Sequence, residues 1–257
     1  MMRPIHDLET HLTSERGATI VRPTGVLDVS TFPQLRDTLL KCAADQPDVV
    51  IVLMDDLVVG SNHLYSVFVQ VWMRTSEWPG VPIMLVAEDR RLHRRLTELP
   101  AARFVPVHGS VRKAISAAGS PPQRRRAENW LPALSSASHL SRQFTAEICR
   151  RWGVRWLTYD AAAIATEFVE NTLQHTDSEP VLRLELRRRL LSVAVADESP
   201  RLAVLTERST DGSLSLGLLV VAQSARAWGC TPTHSGGKVT WAILSIDAPR
   251  YELPGEL

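Results

Sequence analysis

The chain has 257 residues, a length typical of two ordinary domains or one large one. Hydrophobic residues make up 44% and charged residues 22%, a globular composition that excludes an extensively disordered chain. The formal net charge is +1, so no overall electrostatic field would recruit nucleic acid or an anionic membrane surface.

The three cysteines, Cys42, Cys149 and Cys230, form no CxxC pair and show no metal-ligand spacing. Each lies in a predicted helix or beside an apolar run, so we expect reduced, buried thiols. Residues 1–9 lack the apolar core of a signal peptide, and no uncharged run approaches membrane-spanning length. We therefore expect a cytoplasmic protein without a membrane segment.

The first half alternates predicted strands and helices. The predicted strands are 18–22, 26–27, 49–54, 81–87 and 104–107. The first predicted helix is capped by Ser30 and has the apolar positions Leu35, Leu39, Cys42 and Ala43. The other predicted helices are 62–77, 90–99 and 111–118. The continuous apolar run 49–54 is typical of a strand covered on both faces. This alternation predicts a mostly parallel sheet with right-handed crossovers.

The first half resembles the sulfate-transporter and anti-sigma-antagonist (STAS) family over residues 10–118. The resemblance rests on the order of the elements and on three segments, Gly25-Val26-Leu27-Asp28 followed by Leu35-Arg36, Val50-Ile51-Val52-Leu53-Met54-Asp55, and Val81-Pro82-Ile83-Met84-Leu85-Val86. In switching members of this family, a loop serine at a helix N-terminus is phosphorylated by a partner kinase, and the added charge reverses protein docking.

The corresponding loop here reads Gly60-Ser61-Asn62-His63. The usual acidic residue falls on Gly60 and the usual phospho-acceptor on Asn62, so the resemblance implies a docking fold with a lost or altered switch. Ser61, one position earlier, is the remaining candidate phospho-acceptor. The alternative is that Ser61 caps the helix that begins at Asn62.

Residues 119–130 are interpreted as the linker between two domains. They include the helix breaker Gly-Ser-Pro-Pro and the basic run Arg124-Arg125-Arg126. Because the arginines have no aromatic neighbours, we expect a solvated run and no direct nucleic-acid contact.

The second half is predicted to contain helices 136–152 and 160–175, strands 181–186 and 190–196, and a helix over 214–229. The segment Ser235-Gly236-Gly237-Lys238 supplies the turn of a terminal hairpin whose return strand is 239–246.

Within helix 160–175, Glu167 and Asn171 stand one turn apart, beside an apolar stripe of Ala161, Ile164, Ala165, Phe168 and Thr172. An amide oxygen can take one position on a Mg²⁺ ion that bridges phosphates. A carboxylate can act as a general base. By itself this spacing is weak evidence, and it is more simply explained by a solvated polar row that continues to His175.

This half resembles the histidine-kinase-like ATPase fold (the GHKL superfamily), and within it the branch of anti-sigma-factor serine/threonine kinases, over residues 131–250. The matching segments are Ala137-Ser138-His139-Leu140-Ser141-Arg142, Trp152-Gly153-Val154, Glu167-x-x-x-Asn171 with His175, Val193-x-Val195-x-Asp197 with Ser199-Pro200, Gly217-Leu218-Leu219-Val220-Val221, Trp228-Gly229, and Gly236-Gly237-Lys238-Val239-Thr240-Trp241. The expected fold is a two-domain α/β protein, a STAS-like sheet with helices followed by an ATPase-type α/β sandwich.

The resemblance implies ATP and Mg²⁺ as cofactors. Asn171 would bind Mg²⁺, and Glu167 would be the catalytic base that helps a substrate serine attack the γ-phosphate. Asp197 would accept a hydrogen bond from the adenine amino group. The remaining residues implied to contact the nucleotide are Ser199, Gly217, Leu218 and Thr240. His175 would flank the site as a neutral imidazole.

The sequence departs from that family where glycines usually let the backbone approach the nucleotide. Asp197-Glu198-Ser199-Pro200-Arg201 lacks both glycines of the Asp-x-Gly-x-Gly pattern, and Leu214-Ser215-Leu216-Gly217 retains a single glycine. We expect weaker nucleotide binding or a different closure of the lid.

Two functions follow as hypotheses. The first is a partner-switching regulator of transcription, an anti-sigma-type serine/threonine kinase fused to an antagonist-like domain. The alternative is a catalytically degenerate adaptor that binds the same partners without turnover. The implied partners are a sigma factor, an anti-sigma factor or an antagonist, a contact between the chain's own two domains, and a second copy in a homodimer. A sensor histidine kinase is disfavoured, because no dimerisation helix with a phospho-accepting histidine is present.

Overall fold

The computed structural model describes residues 8–118, 124–187, 189–199, 221 and 223–246. The chain divides into two compact units, Met1–Pro121 and Pro122–Leu257. Within the described ranges, every helix is too short or too polar to cross a membrane.

The first unit contains a mixed sheet in the order β1-β2-β3-β5-β6, with β4 paired to β2. The β1–β2 pair is antiparallel and the other pairs are parallel, which confirms the predicted mostly parallel sheet. Its strands are β1 (Leu8–Glu15), β2 (Ala18–Leu27), β3 (Val49–Leu53), β4 (Leu57–Val59), β5 (Ile83–Val86) and β6 (Val107–His108). Its helices are α1 (Phe32–Ala44), α2 (Ser66–Thr75), α3 (Arg90–Glu98) and α4 (Val111–Ala118).

Helices cover both faces of this sheet. On one face, Val50 and Val52 of β3 share a core with α1 and α2. On the other face, Val49 and Ile51 pack with Ala114 of α4. Burial on both sides explains why β3 is continuously apolar rather than alternating.

Several predicted boundaries in the first half are wrong. Strands β1 and β4 were not predicted, and β2 is one continuous strand over Ala18–Leu27, where two short strands, 18–22 and 26–27, were predicted. The predicted strand 104–107 is reduced to Val107–His108, because a 3₁₀ helix at Pro100–Arg103 extends up to Phe104, whose N–H bonds to the carbonyl of Ala101.

The second unit has a fully antiparallel sheet of five described strands in the order β10-β11-β9-β8-β7. The strands are β7 (Arg124–Trp130), β8 (Val181–Arg187), β9 (Leu190–Asp197), β10 (Ala227–Pro232) and β11 (Lys238–Ser245), and the helices are α5 (Ala137–Trp152) and α6 (Thr158–His175).

Helices α5 and α6 lie on one face of this sheet. Phe168 and Ile164 of α6 share a core with Val193 and Val195 of β9 and with Ala242 of β11. Gly153 ends α5 in a left-handed conformation (φ 75°), as its position after the last apolar residue predicts.

Two predictions in the second half need correction. Residues 124–130, assigned to the linker, form edge strand β7, because Arg126 and Glu128 pair with Glu185 and Arg183 of β8. The helix predicted over 214–229 cannot extend to its expected end, since Trp228 and Gly229 lie in β10. Most of that predicted helix lies outside the described residues.

All three cysteines are free thiols. Cys42 and Cys149 are buried, as predicted, and burial raises the pKa of Cys42 to about 12 and that of Cys149 to about 11. Cys230 is only partly buried, in β10.

Candidate functional site

The carboxamide of Asn171 and the carboxylate of Glu167 are hydrogen-bonded to each other on α6. Asn171 Nδ2 donates to Glu167 Oε1 over 3.0 Å. Both side chains are partly buried, beside the stripe that Phe168 and Thr172 bury in the core. The helical spacing therefore brings together the two groups that the sequence singled out.

Burial also alters the chemistry of Glu167. Loss of hydration raises the pKa of this carboxyl group, the hydrogen bond from Asn171 opposes the rise, and the charge of Glu170 adds to it. A carboxylate with a raised pKa holds a proton more readily, which suits a general base. Because Asn171 donates through its nitrogen, its oxygen remains uncommitted among the described residues.

The side of α6 that bears this pair also carries Asp160, which contacts Ser224. Asp160 precedes Glu167 by seven residues, about two helical turns, so both lie on one side of the helix. The hydroxyl of Ser224 donates to Asp160 Oδ1 over 3.2 Å. Glu167 and Asn171 thus lie on the same side of α6 as Asp160, which Ser224 contacts.

Asp197 ends β9 on the helix-facing side of the sheet. It continues the alternation of Leu191, Val193 and Val195, which reach the core beneath α6. Its carboxylate is buried and accepts from the backbone N–H of Ser199 over 2.9 Å. Asp197 is therefore a buried hydrogen-bond acceptor at the end of β9.

The sequence analysis missed the partner of this carboxylate. Lys238, the first residue of β11, lies opposite Asp197 in the strand register, and its Nζ donates to Asp197 Oδ1 over 2.8 Å. The side chains are 6% and 2% exposed, respectively. Lys238 was interpreted as a turn residue. Pairing the predicted strands β9 and β11 as antiparallel neighbours, in this register, would have placed Lys238 opposite Asp197.

The turn before Lys238 holds it in place. Thr233 N–H donates to the carbonyl of Gly237 over 2.9 Å, and Gly237 N–H donates to Thr233 Oγ1 over 3.0 Å. Gly237 lies against β9, where an added Cβ would overlap the carbonyl oxygen of Asp197. This close approach requires glycine and fixes where β11 begins.

The other predicted nucleotide contacts are divided between two locations. Ser199 follows Asp197 directly and contacts it, while Thr240 lies two residues after Lys238 on the same face of β11 and donates to Cys230 Sγ over 3.8 Å. Gly217 and Leu218 lie outside the described residues. His175 ends α6 and is exposed.

The end of α6 and the end of β9 are adjacent. Glu198 N–H donates to Ser178 Oγ over 3.3 Å, and Ser178 follows α6 by three residues. This contact places Asp197 beside the turn that leaves the Asn171 helix. The end of β9 is therefore adjacent to the segment that follows α6.

These residues fit a magnesium–nucleotide in their donor types. Across the ranges that the structure describes, no three His, Cys, Asp or Glu side chains converge as a metal site. A Mg²⁺ ion that keeps its waters and bridges phosphates needs only one or two protein oxygens, which Asn171 can supply. One carboxylate oxygen of Asp197, Oδ1, already accepts hydrogen bonds from Lys238 and Ser199.

In the first unit, Ser61 does not cap the helix that follows it. The backbone places Ser61 at the N-cap of the 3₁₀ helix Asn62–Tyr65, yet its side chain makes no capping hydrogen bond. Its hydroxyl instead contacts the imidazole of His63, 3.1 Å from Nε2. The capping alternative is therefore wrong, and Ser61 remains a candidate phospho-acceptor.

No protein-family model matches the chain. Among curated proteins it is similar to Rho GTPase-activating protein 27 from Mus musculus, with 27% identity over 155 residues that cover 55% of this chain and 17% of that protein. The protein of the same name from Rattus norvegicus is 28% identical over 154 residues, with the same coverage. The chain thus spans less than a fifth of the length of these curated relatives.

Solved structures similar to about half of the chain include an anti-sigma factor antagonist from Mycobacterium paratuberculosis. It is 18% identical with a TM-score of 0.37, over 46% of this chain and 100% of that chain. The RsbU and RsbW domains of a Mycobacterium tuberculosis protein are 16% identical with a TM-score of 0.35, over 47% of this chain and 32% of that chain. These scores are too low to transfer a function to this chain.

Proposed function

We propose that this protein is a partner-switching regulator whose second domain binds a magnesium–nucleoside triphosphate and phosphorylates a serine or threonine of a partner protein. The observation that carries this proposal is the half-buried Glu167–Asn171 pair, hydrogen-bonded over 3.0 Å. ATP is the nucleotide that the sequence resemblance implies, and a sigma factor, an anti-sigma factor or an antagonist is the implied partner class.

Each residue of the site has a defined task in this proposal. Asn171 holds the metal ion through its carboxamide oxygen. Glu167 accepts the proton of the attacking hydroxyl, and the bound Mg²⁺ would supply charge neutralisation at the phosphates. Asp197 accepts a hydrogen bond from the base of the nucleotide, and Lys238 holds the carboxylate of Asp197. Phosphoryl transfer demands mainly positioning and electrostatics, so this small set is sufficient in principle.

Paired variants test this function. Binding of Mg-ATP and Mg-GTP to the full chain is measured by calorimetry, and transfer of labelled phosphate to a STAS-domain protein is measured in parallel. We expect Glu167→Gln to bind nucleotide but lose transfer by at least about a hundredfold, a typical general-base contribution. Asn171→Ala should weaken Mg²⁺-dependent binding. Glu179→Gln, an exposed carboxylate on the loop after α6, serves as the matched control.

A non-catalytic adaptor is the second candidate function. Two observations favour it: Lys238 already neutralises Asp197, and Asn62 occupies the usual phospho-acceptor position. Absence of nucleotide binding at millimolar concentrations, together with binding of a STAS-domain or sigma-type partner, would select the adaptor. A homodimer and a contact between the two domains stay predictions, as does phosphorylation of Ser61.

A further inference from the structure

Helix α3 of the first domain presents an arginine-rich surface. Four of its nine residues are arginines with exposed side chains, and they are Arg90, Arg91, Arg94 and Arg95. At 3.6 residues per turn, these four positions span about 140° around the helix. They lie opposite Leu96, the residue through which α3 is buried in the core. The arginines therefore form one solvent-facing side of α3.

The positive charge of this side is not neutralised within the described part of the chain. None of its carboxylates, including that of Glu98 on the same helix, forms an ion pair with the four arginines. Asp89 and Asp55 instead accept hydrogen bonds from backbone N–H groups at the start of α3 and just before it. Arg90 and Arg94 are four residues apart, a spacing at which like charges repel, and the same spacing relates the other two arginines. A bound anion would relieve this repulsion.

Two aromatic rings lie next to the segment that follows α3. The ring of Phe104 is 43% exposed and contacts that of Trp72 on α2, with the centroids 5.0 Å apart. Arg95 Nη2 donates to the hydroxyl of Tyr65, the residue before α2, over 2.9 Å. The helix that carries the arginines and the exposed ring of Phe104 therefore both lie along α2.

We propose that α3 and the Trp72–Phe104 pair bind single-stranded nucleic acid, with the α3 arginines on the phosphates and the ring of Phe104 against a base. Guanidinium groups match phosphate oxygens in geometry as well as in charge. Basic surfaces with neighbouring aromatic rings bind single strands without sequence preference. The net charge of +1 does not oppose this binding, because salt limits the reach of each charge to about 10 Å and the local cluster dominates.

Two features favour a single strand over other anions. Leu92 and Leu96, the apolar residues of α3, pack into the core, so the helix has no free apolar side to insert into a membrane. An acidic protein segment would engage the charge alone, whereas a nucleotide strand offers a phosphate and a base to the arginines and to Phe104 together. In a duplex the bases are stacked inside and are not available to the ring.

Fluorescence anisotropy with the unmodified full chain tests the inference. Labelled oligouridine and oligothymidine of about twelve nucleotides are compared with a duplex of the same length, from about 50 to about 300 mM salt. We expect the single strands to bind more tightly than the duplex, with a slope of log affinity against log salt of about −3, since each of four neutralised phosphates contributes about −0.7. Tighter binding of one oligonucleotide identifies RNA or DNA as the ligand.

Three results of this experiment overturn the inference. They are no binding at the lowest salt concentration, tighter binding of the duplex, and displacement of the oligonucleotide by polyglutamate at equal charge, which would assign the surface to an acidic protein segment. Because the surface belongs to the first domain, each of these results leaves the proposed function of the second domain standing.

Variants separate the two parts of the surface. Arg94→Gln should reduce the steepness of the salt slope by about 0.7, whereas Arg94→Lys keeps the charge and should keep the slope. Arg142→Gln, which replaces an exposed arginine on α5, is the matched control. Phe104→Leu removes the ring but keeps an apolar side chain, so it should weaken binding at least about fivefold with the slope unchanged. An unchanged slope in Arg94→Gln, or full affinity in Phe104→Leu, contradicts the assigned contact.

Discussion

Asn171 donates a hydrogen bond to Glu167 one turn earlier on α6, at 3.0 Å, and this bond opposes the rise in the Glu167 pKa that burial causes. Two opposing effects therefore act on the pKa of Glu167: the hydrogen bond from Asn171 lowers it, and the loss of hydration raises it. This pKa can be probed through the pH dependence of stability as well as through catalysis.

The first prediction concerns Glu167→Gln. Because the pKa of Glu167 in the folded protein is raised above 4.5, its contribution to stability is fully present below that pH and is lost as pH rises through the folded pKa. The free energy of unfolding of the variant, minus that of the unmodified chain, should therefore increase as pH rises from about 4 to 7. Urea denaturation at several pH values measures it. A difference that does not change with pH contradicts the raised pKa.

The second prediction concerns the buried ion pair. Lys238→Met leaves Asp197 buried without its partner, so the second domain should lose about 3–5 kcal/mol of stability. Lys238→Met combined with Asp197→Leu removes both charges and should recover most of that loss. Chemical denaturation of the two single variants and the double variant measures the coupling. Additive losses would show that the pair contributes no mutual stabilisation.

The third prediction concerns Gly237. In Gly237→Ala the new methyl group would overlap the carbonyl oxygen of Asp197, so the turn must shift, at a cost of about 1–3 kcal/mol. Gly109→Ala is the control, because a Cβ there meets no atom within 4 Å. Thermal unfolding followed by calorimetry compares them. Equal melting temperatures would mean that β11 can move away from β9 freely.

The fourth prediction uses two phenylalanines, one in each domain core. Phe68 on α2 is 0% exposed and Phe168 on α6 is 1% exposed. Replacement of either by alanine should cost about 3–5 kcal/mol. Since the chain divides near residue 121, each substitution should lower the midpoint temperature of one unfolding transition, measured by calorimetry, and leave that of the other unchanged. A single transition that shifts with both variants would indicate cooperative unfolding of the whole chain.

Local patterns predicted much of this fold. The run 49–54 is apolar because helices cover β3 on both faces, and the stripe on α6 faces the core as its spacing required. The Glu167–Asn171 contact could also be predicted, because residues four apart on a helix are neighbours.

Features that depend on distant pairing could not be predicted in the same way. The charged segment 124–130 resembles a linker until Arg126 and Glu128 meet their counterparts on β8. Lys238 resembles a turn residue until β11 aligns with β9 and brings it to Asp197, 41 residues away in sequence. In both cases the oppositely charged residue lies on another strand, so the local sequence pattern does not indicate the pair.

Strand β7 determines where the second domain can be separated from the first. A fragment that starts at residue 131 would lack Arg124–Trp130 and leave the backbone groups of β8 without their neighbours, which creates an exposed edge that invites aggregation. It would also remove Arg126, which forms an ion pair with the buried Glu185. A truncation that starts before Arg124 preserves the sheet, so an expression series across residues 119–131 should show soluble fragments giving way to insoluble ones once the arginines are removed.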